Sequence, residues 1–187
     1  LGDSYSSGVG TRSYIDDGTS CQRSTLSYPS LLAAQRGYAL NFRACSGATV
    51  GDVAGSQLSA LDSGTSFVTI SVGGNDAGFA DVLTECALPG WLSNCTGAIN
   101  GAQSYINTTL PGALSTLYAG IRGRAPSARV VVVGYPRIFN GEDCNAGEEA
   151  ERGEPVERAA GIGPTLDGHA LDHGAERHAL RYDPHHE

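Results

Sequence analysis

Two short apolar runs constrain the fold of this chain more than any other feature. Phe67–Val72 and Arg129–Tyr135 are rich in β-branched residues and are too short to be helices. Runs of this kind are buried on both faces in parallel sheets. Between them, Ile106, Leu110, Leu114, Leu117 and Ile121 recur at helical spacing within 99–121, and Pro111 predicts a break in that helix. Upstream, residues 28–36 read as a helix, with Ser27 or Thr25 placed to cap it and Gly37 to end it. Tyr38–Phe42 reads as a strand. Thr49–Leu61 reads as a helix presenting Val50, Val53, Leu58 and Leu61. Strands alternating with helices predict an α/β sheet covered on both faces.

The length of 187 residues suits one domain. No apolar run exceeds Val130–Val133, far short of the roughly 20 residues that a membrane-spanning helix needs. The formal net charge of −8 opposes nucleic-acid binding, which depends on a basic surface. That charge is unevenly placed. Residues 1–140 carry as many arginines as acids, so the whole excess falls in residues 141–187. All five histidines lie there as well. Beyond Asn145 the strand and helix patterning stops, which divides the chain into a patterned part, 1–146, and an acidic, histidine-containing tail, 147–187. The tail reads as disordered, or as the product of a shifted reading frame. The start, Leu1-Gly2-Asp3-Ser4, has no initiator Met and no signal peptide, and reads as that of a fragment or a processed form.

Cysteine spacing bears on the compartment. Cys21 and Cys45 flank a loop-helix unit, Cys86 and Cys95 flank a short Leu-Pro-Gly-Trp turn, and Cys144 is left over. No Cys-x-x-Cys occurs and no histidine lies near the first four cysteines, which opposes a zinc site. Two local disulfides, Cys21–Cys45 and Cys86–Cys95, with Cys144 unpaired, fit an exported protein. Buried free thiols are the alternative.

Three polar, glycine-rich turns hold the candidate chemistry: Gly2-Asp3-Ser4-Tyr5-Ser6-Ser7-Gly8, Ala44-Cys45-Ser46-Gly47-Ala48-Thr49 and Ser71-Val72-Gly73-Gly74-Asn75-Asp76. In open α/β sheets, active sites collect at such strand ends. A serine that attacks an ester needs a base for its proton and donors aimed at the developing oxyanion. Ser4 is the candidate nucleophile. Gly47 offers a backbone N–H with no side chain in the way, and Asn75 offers a side-chain amide. Each turn alone is ordinary turn chemistry.

In this order and spacing, the three turns resemble the SGNH (GDSL) esterase/lipase family. Gly2-Asp3-Ser4 with Gly8 matches the nucleophile block, Gly47 the glycine block, and Gly73-Gly74-Asn75-Asp76 the G-x-N-D block. The cysteine spacing and Gly134-Tyr135-Pro136-Arg137 resemble the secreted actinomycete branch. The resemblance covers residues 1 to about 146. It implies a flavodoxin-like three-layer α/β/α fold, here lacking its first strand and its C-terminal part. It also implies a secreted, monomeric serine esterase or lipase with no cofactor and no metal, acting on a small-molecule or lipid ester. Ser4 would attack, while its own N–H, the Gly47 N–H and the Asn75 side chain would form the oxyanion hole. Asp3 and Asp76 would hold the turns.

The family's closing block is an Asp-x-x-His that supplies the base. Only Asp183-Pro184-His185-His186 has that spacing, which makes His186 the candidate base and Asp183 its partner. The alternative is a non-catalytic fragment, because residues 1–140 contain no histidine.

Overall fold

Strands β1 (Phe67–Ile70) and β2 (Arg129–Val132) pair in parallel, with Phe67 opposite Arg129 and Ile70 opposite Val132. They belong to a computed structural model that describes residues 1–136; Cys144, Asp183, His186 and the tail 147–187 lie outside the described residues. Carbonyls alternate in direction along a strand, so the two edges of β1 serve different neighbours. The Ser66 and Ile70 carbonyls accept from the β2 side, from Arg129 N–H and Val133 N–H. The Thr69 and Ser71 carbonyls accept from the chain start, from the Leu1 amino group at 2.9 Å and from Asp3 N–H at 2.9 Å. Gly2 completes a parallel bridge to Ser71. On its far side, the Gly2 carbonyl accepts from Cys45 N–H at 3.0 Å. Leu1–Asp3 therefore takes a strand's place between Cys45 and β1.

Helices cover one face of β1, and the start of another helix meets the opposite face at Ser71. Val68 and Ile70 point to one side of β1, where they share a core with Val50, Val53, Leu58, Leu110, Leu117 and Ile121. Ser71 points to the other side, towards Tyr28 at the start of the helix Tyr28–Arg36. In chain order the helices are α1 (Ser4–Ser7), α2 (Tyr28–Arg36), α3 (Val50–Asp52), α4 (Phe79–Cys86), α5 (Cys95–Thr108) and α6 (Leu110–Arg124). The fold is α/β, as the strand and helix patterning predicts.

The break predicted at Pro111 is present, and several other boundaries differ from the sequence expectation. The helix read over 99–121 is two helices that meet at Thr109, because Pro111 is tolerated only in the first turn of a new helix. Tyr38–Phe42 is not a strand. Its neighbourhood meets the sheet only at Cys45, and residues 38–42 instead wall a cavity of about 470 Å³ with Leu1, Leu61 and Phe67–Thr69. The helix read over 49–61 is continuous but changes gauge. After α3 it widens into a π turn at Val53–Gln57 and tightens into a 3₁₀ turn at Leu58–Ala60. Ser27 precedes α2, yet its hydroxyl donates to Ser24 O rather than capping the helix.

Both expected disulfides are present, Cys21–Cys45 and Cys86–Cys95. The first ties the glycine turn after Cys45 to the loop before α2, where Ser46 N–H also donates to Cys21 O at 3.0 Å.

Candidate active site

The register of the three central segments decides which turns meet. Cys45, Gly2 and Ser71 are hydrogen-bonded side by side. Two residues beyond Cys45 lies Gly47, two beyond Gly2 lies Ser4, and four beyond Ser71 lies Asn75. Three distant stretches of sequence therefore turn at one edge of the sheet. Asn75 Nδ2 donates to Ala48 O at 2.9 Å, which fixes its amide beside the Ala48–Thr49 peptide, one residue past Gly47, and leaves its second N–H uncommitted among the described residues. Asp76 accepts from Val50 N–H through both carboxylate oxygens, at 3.1 and 3.0 Å, and so joins the Asn75 turn to the start of α3. Gly47 is exposed and left-handed, with φ 81°, and nothing lies within 4 Å of where a Cβ would stand.

Ser4 opens α1, whose N-cap is Asp3 and whose C-cap is the left-handed Gly8. The serines on this turn differ in their surroundings. Ser6 and Ser7 are fully buried. Ser6 Oγ meets Tyr28 Oη at 2.8 Å and accepts from Ser71 N–H, while Ser7 Oγ donates to Ser4 O. Ser4 is half-buried, and its hydroxyl makes no hydrogen bond among the described residues. It is the serine of this turn left available for chemistry.

The turn is fixed from beneath. Gly2 has φ 124°, and a Cβ there would stand 2.2 Å from the Ser71 carbonyl oxygen, so only glycine lets the two backbones approach. Asp3 is 1% exposed. Its carboxylate accepts from Tyr5 N–H at 3.0 Å and from the Tyr135 hydroxyl. Burial pushes the Asp3 carboxyl above the usual carboxylate range, against the pull of these hydrogen bonds. Burial, and then the Asp3 charge beside it, push the Tyr135 hydroxyl upward, which keeps it protonated and a donor.

Two residues that sequence reading gave no role hold these turns together. Gln57 is 3% exposed, and its side-chain amide accepts from Gly2 N–H at 2.7 Å and donates to Gly2 O at 2.8 Å. Gln57 closes the π turn, and both it and Leu58 are buried. A signal existed, since Gln57 is a polar residue on a face marked by Val50 and Val53. Tyr135 donates to Asp3 Oδ2 and accepts from Gly74 N–H at 3.1 Å. One hydroxyl thus links the Ser4 turn to the Asn75 turn. Its signal was the Gly134-Tyr135-Pro136-Arg137 stretch at the end of an apolar run, which marks the tyrosine but not its partners.

Tyr135→Phe keeps the ring against Tyr5, 5.8 Å away, but leaves the Asp3 carboxylate and the Gly74 N–H each without this partner. A loss of about 2–3 kcal/mol in unfolding free energy is expected from urea titration. A loss below about 0.5 kcal/mol would show that water replaces the hydroxyl at no cost.

Among the described residues there is no group of His, Cys, Asp or Glu side chains that could hold a metal ion, and no helix long and apolar enough to cross a membrane. The Asp183 and His186 pair lies outside the described residues.

Comparison with known proteins places this geometry. The chain is 49% identical over 177 residues to a lipase of Streptomyces rimosus, covering 93% of this chain and 66% of the relative. It is 46% identical over 176 residues to Lipase 1 of Streptomyces coelicolor, covering 93% of this chain and 65% of the relative. It therefore spans just under two thirds of the length of these relatives. Among solved structures, the extracellular lipase of S. rimosus superposes with a TM-score of 0.75 at 50% identity, covering 86% of this chain and 67% of that one. Phospholipase A1 of Streptomyces albidoflavus superposes with a TM-score of 0.76 at 44% identity, covering 87% of this chain and 66% of that one. Residues 1–182 match the GDSL-like Lipase/Acylhydrolase family, a span that runs past residue 146, where the motifs stop. By a match over nearly its whole length, carried on an α/β sheet that brings the three motif turns to one edge, this chain belongs to the GDSL-like lipase/acylhydrolase family.

Proposed function

We propose that the protein is a secreted serine hydrolase of carboxylic esters, in which Ser4 is the nucleophile. The observation that carries this reading is the convergence of Ser4, Gly47 and Asn75 on adjacent strand ends, with the Ser4 hydroxyl unengaged among the described residues. The Ser4 oxygen attacks the ester carbonyl and gives up its proton to a base. The Ser4 N–H, the Gly47 N–H and the free Asn75 N–H donate to the oxyanion as it forms. Collapse of that intermediate expels the alcohol, and water then releases the acid from the acyl-serine. Asp183–His186 is the Asp-x-x-His of this sequence and the candidate base pair. The names of the relatives, lipases and a phospholipase A1, favour a lipid ester. The two disulfides and the extracellular S. rimosus lipase favour an oxidising, extracellular setting.

A second reading is a non-catalytic member of the family. It is favoured by the absence of histidine from residues 1–140. Covalent labelling separates the two. A phosphonofluoridate probe reacts only with an activated serine, and trypsin releases Ser4 within the peptide 1–12. The expected result is one probe mass on that peptide, located at Ser4 rather than Ser6 or Ser7. No labelling of the native protein supports the non-catalytic reading.

A further inference from the structure

The loop closed by Cys86–Cys95 carries an apolar tip that the ester chemistry does not use. Ala87-Leu88-Pro89-Gly90-Trp91-Leu92 is exposed throughout and contains no charged residue. Trp91 is 82% exposed, Leu92 56% and Leu88 41%. Single exposed apolar residues are ordinary on protein surfaces, but tryptophan is highly buried on average. Here the chain's one tryptophan stands at the apex of a turn between two exposed leucines.

The exposure is built into the loop. Leu92 N–H donates to Pro89 O at 2.8 Å, which closes the turn with Trp91 near its apex. At the base, Ser93 Oγ donates to Glu85 O at 2.7 Å and Asn94 N–H donates to the Glu85 carboxylate. Cys86 packs into the small core of Ala77, Val82 and Ala102. The base is therefore anchored and the tip projects. The loop stands at the far end of α4, about 12 Å of helix from the turn that carries Asn75.

We infer that the Leu88–Leu92 tip is an anchor for a lipid surface, with the Trp91 indole seated at the boundary between headgroups and acyl chains. A convex, uncharged tip suits a deformable apolar layer better than the concave pocket of a folded partner. The indole suits the interface because its ring is apolar and its N–H still finds a hydrogen-bond partner there. With no charge on the tip, insertion gains from buried apolar area and does not depend on anionic headgroups. The proposal rests on the hydrolase reading only for the choice of lipid as the setting of the ester. Binding is read without turnover, so its failure and a failure of the Ser4 reading are separate results.

The test uses the full chain and phosphatidylcholine vesicles. Because Trp91 is the only tryptophan, its emission reports this loop alone. The expected result is a blue shift that saturates with lipid, is unchanged by added salt, and is similar when phosphatidylglycerol is included. In co-sedimentation, Trp91→Ala is expected to weaken partitioning by about tenfold or more, with Trp91→Phe recovering much of it. Emission that does not move with lipid overturns the proposal, as does a Trp91→Ala protein that sediments like the parent. A blue shift that appears with protein concentration and no vesicles also overturns it, since the tip would then be a contact between two copies of the chain.

Discussion

Ser4→Ala is expected to reduce hydrolysis of p-nitrophenyl butyrate to the small residual rate that binding and the oxyanion donors supply without a nucleophile. Removing the nucleophile of a serine hydrolase costs about 10⁶ in kcat when the base and oxyanion donors are in place. The change should leave the fold intact, because the Ser4 hydroxyl has no structural partner among the described residues, whereas Ser6 and Ser7 do. Ser6→Ala and Ser7→Ala are therefore the informative controls. They should lower stability and leave kcat within about tenfold, since both hydroxyls are buried and engaged, Ser6 with Tyr28 and Ser71, and Ser7 with the Ser4 carbonyl. Equal loss in Ser4→Ala and Ser6→Ala would move the nucleophile assignment. The same assay on His186→Ala addresses the base. A loss matching that of Ser4→Ala assigns the role to the tail, and unchanged turnover removes it from His186.

Asn75→Ala is expected to lower kcat by about 10²–10³ while KM changes little, because an oxyanion donor acts on charge that exists only in the transition state. The structure adds a second consequence. The Asn75 amide also donates to Ala48 O, so the variant loses a hydrogen bond and about 1 kcal/mol of stability. Steady-state kinetics together with thermal unfolding separate the two effects. A variant with unchanged kcat and a tenfold higher KM would make Asn75 a substrate-binding residue instead.

The two predictions depend on different levels of the molecule. Ser4, Gly47 and Asn75 stand in turns whose composition marks them in the sequence, and the apolar runs at 67–72 and 129–135 mark the strands beside them. Local spacing also marks the two disulfides, because each joins cysteines that bracket a single short unit. Beyond the resemblance of Gly2-Asp3-Ser4 to the nucleophile block, nothing local distinguishes Ser4 from Ser6 and Ser7. That difference arises only when Tyr28, Ser71 and the α1 backbone engage the other two.

What the sequence determined by itself was what a short window can encode: the apolar period of strands and helices, the break at Pro111, the turn residues and their chemistry. The tertiary structure decided what depends on partners far apart in the chain. Tyr38–Phe42 has the composition of a strand but not the strand neighbour that would make it one. Gln57 is a polar residue on an apolar helix face until its amide meets the Gly2 backbone, 55 positions away. Tyr135 is the end of an apolar run until its hydroxyl meets Asp3, 132 positions away. Buried polar groups must find partners, and the chain's path through space determines which partners are within reach.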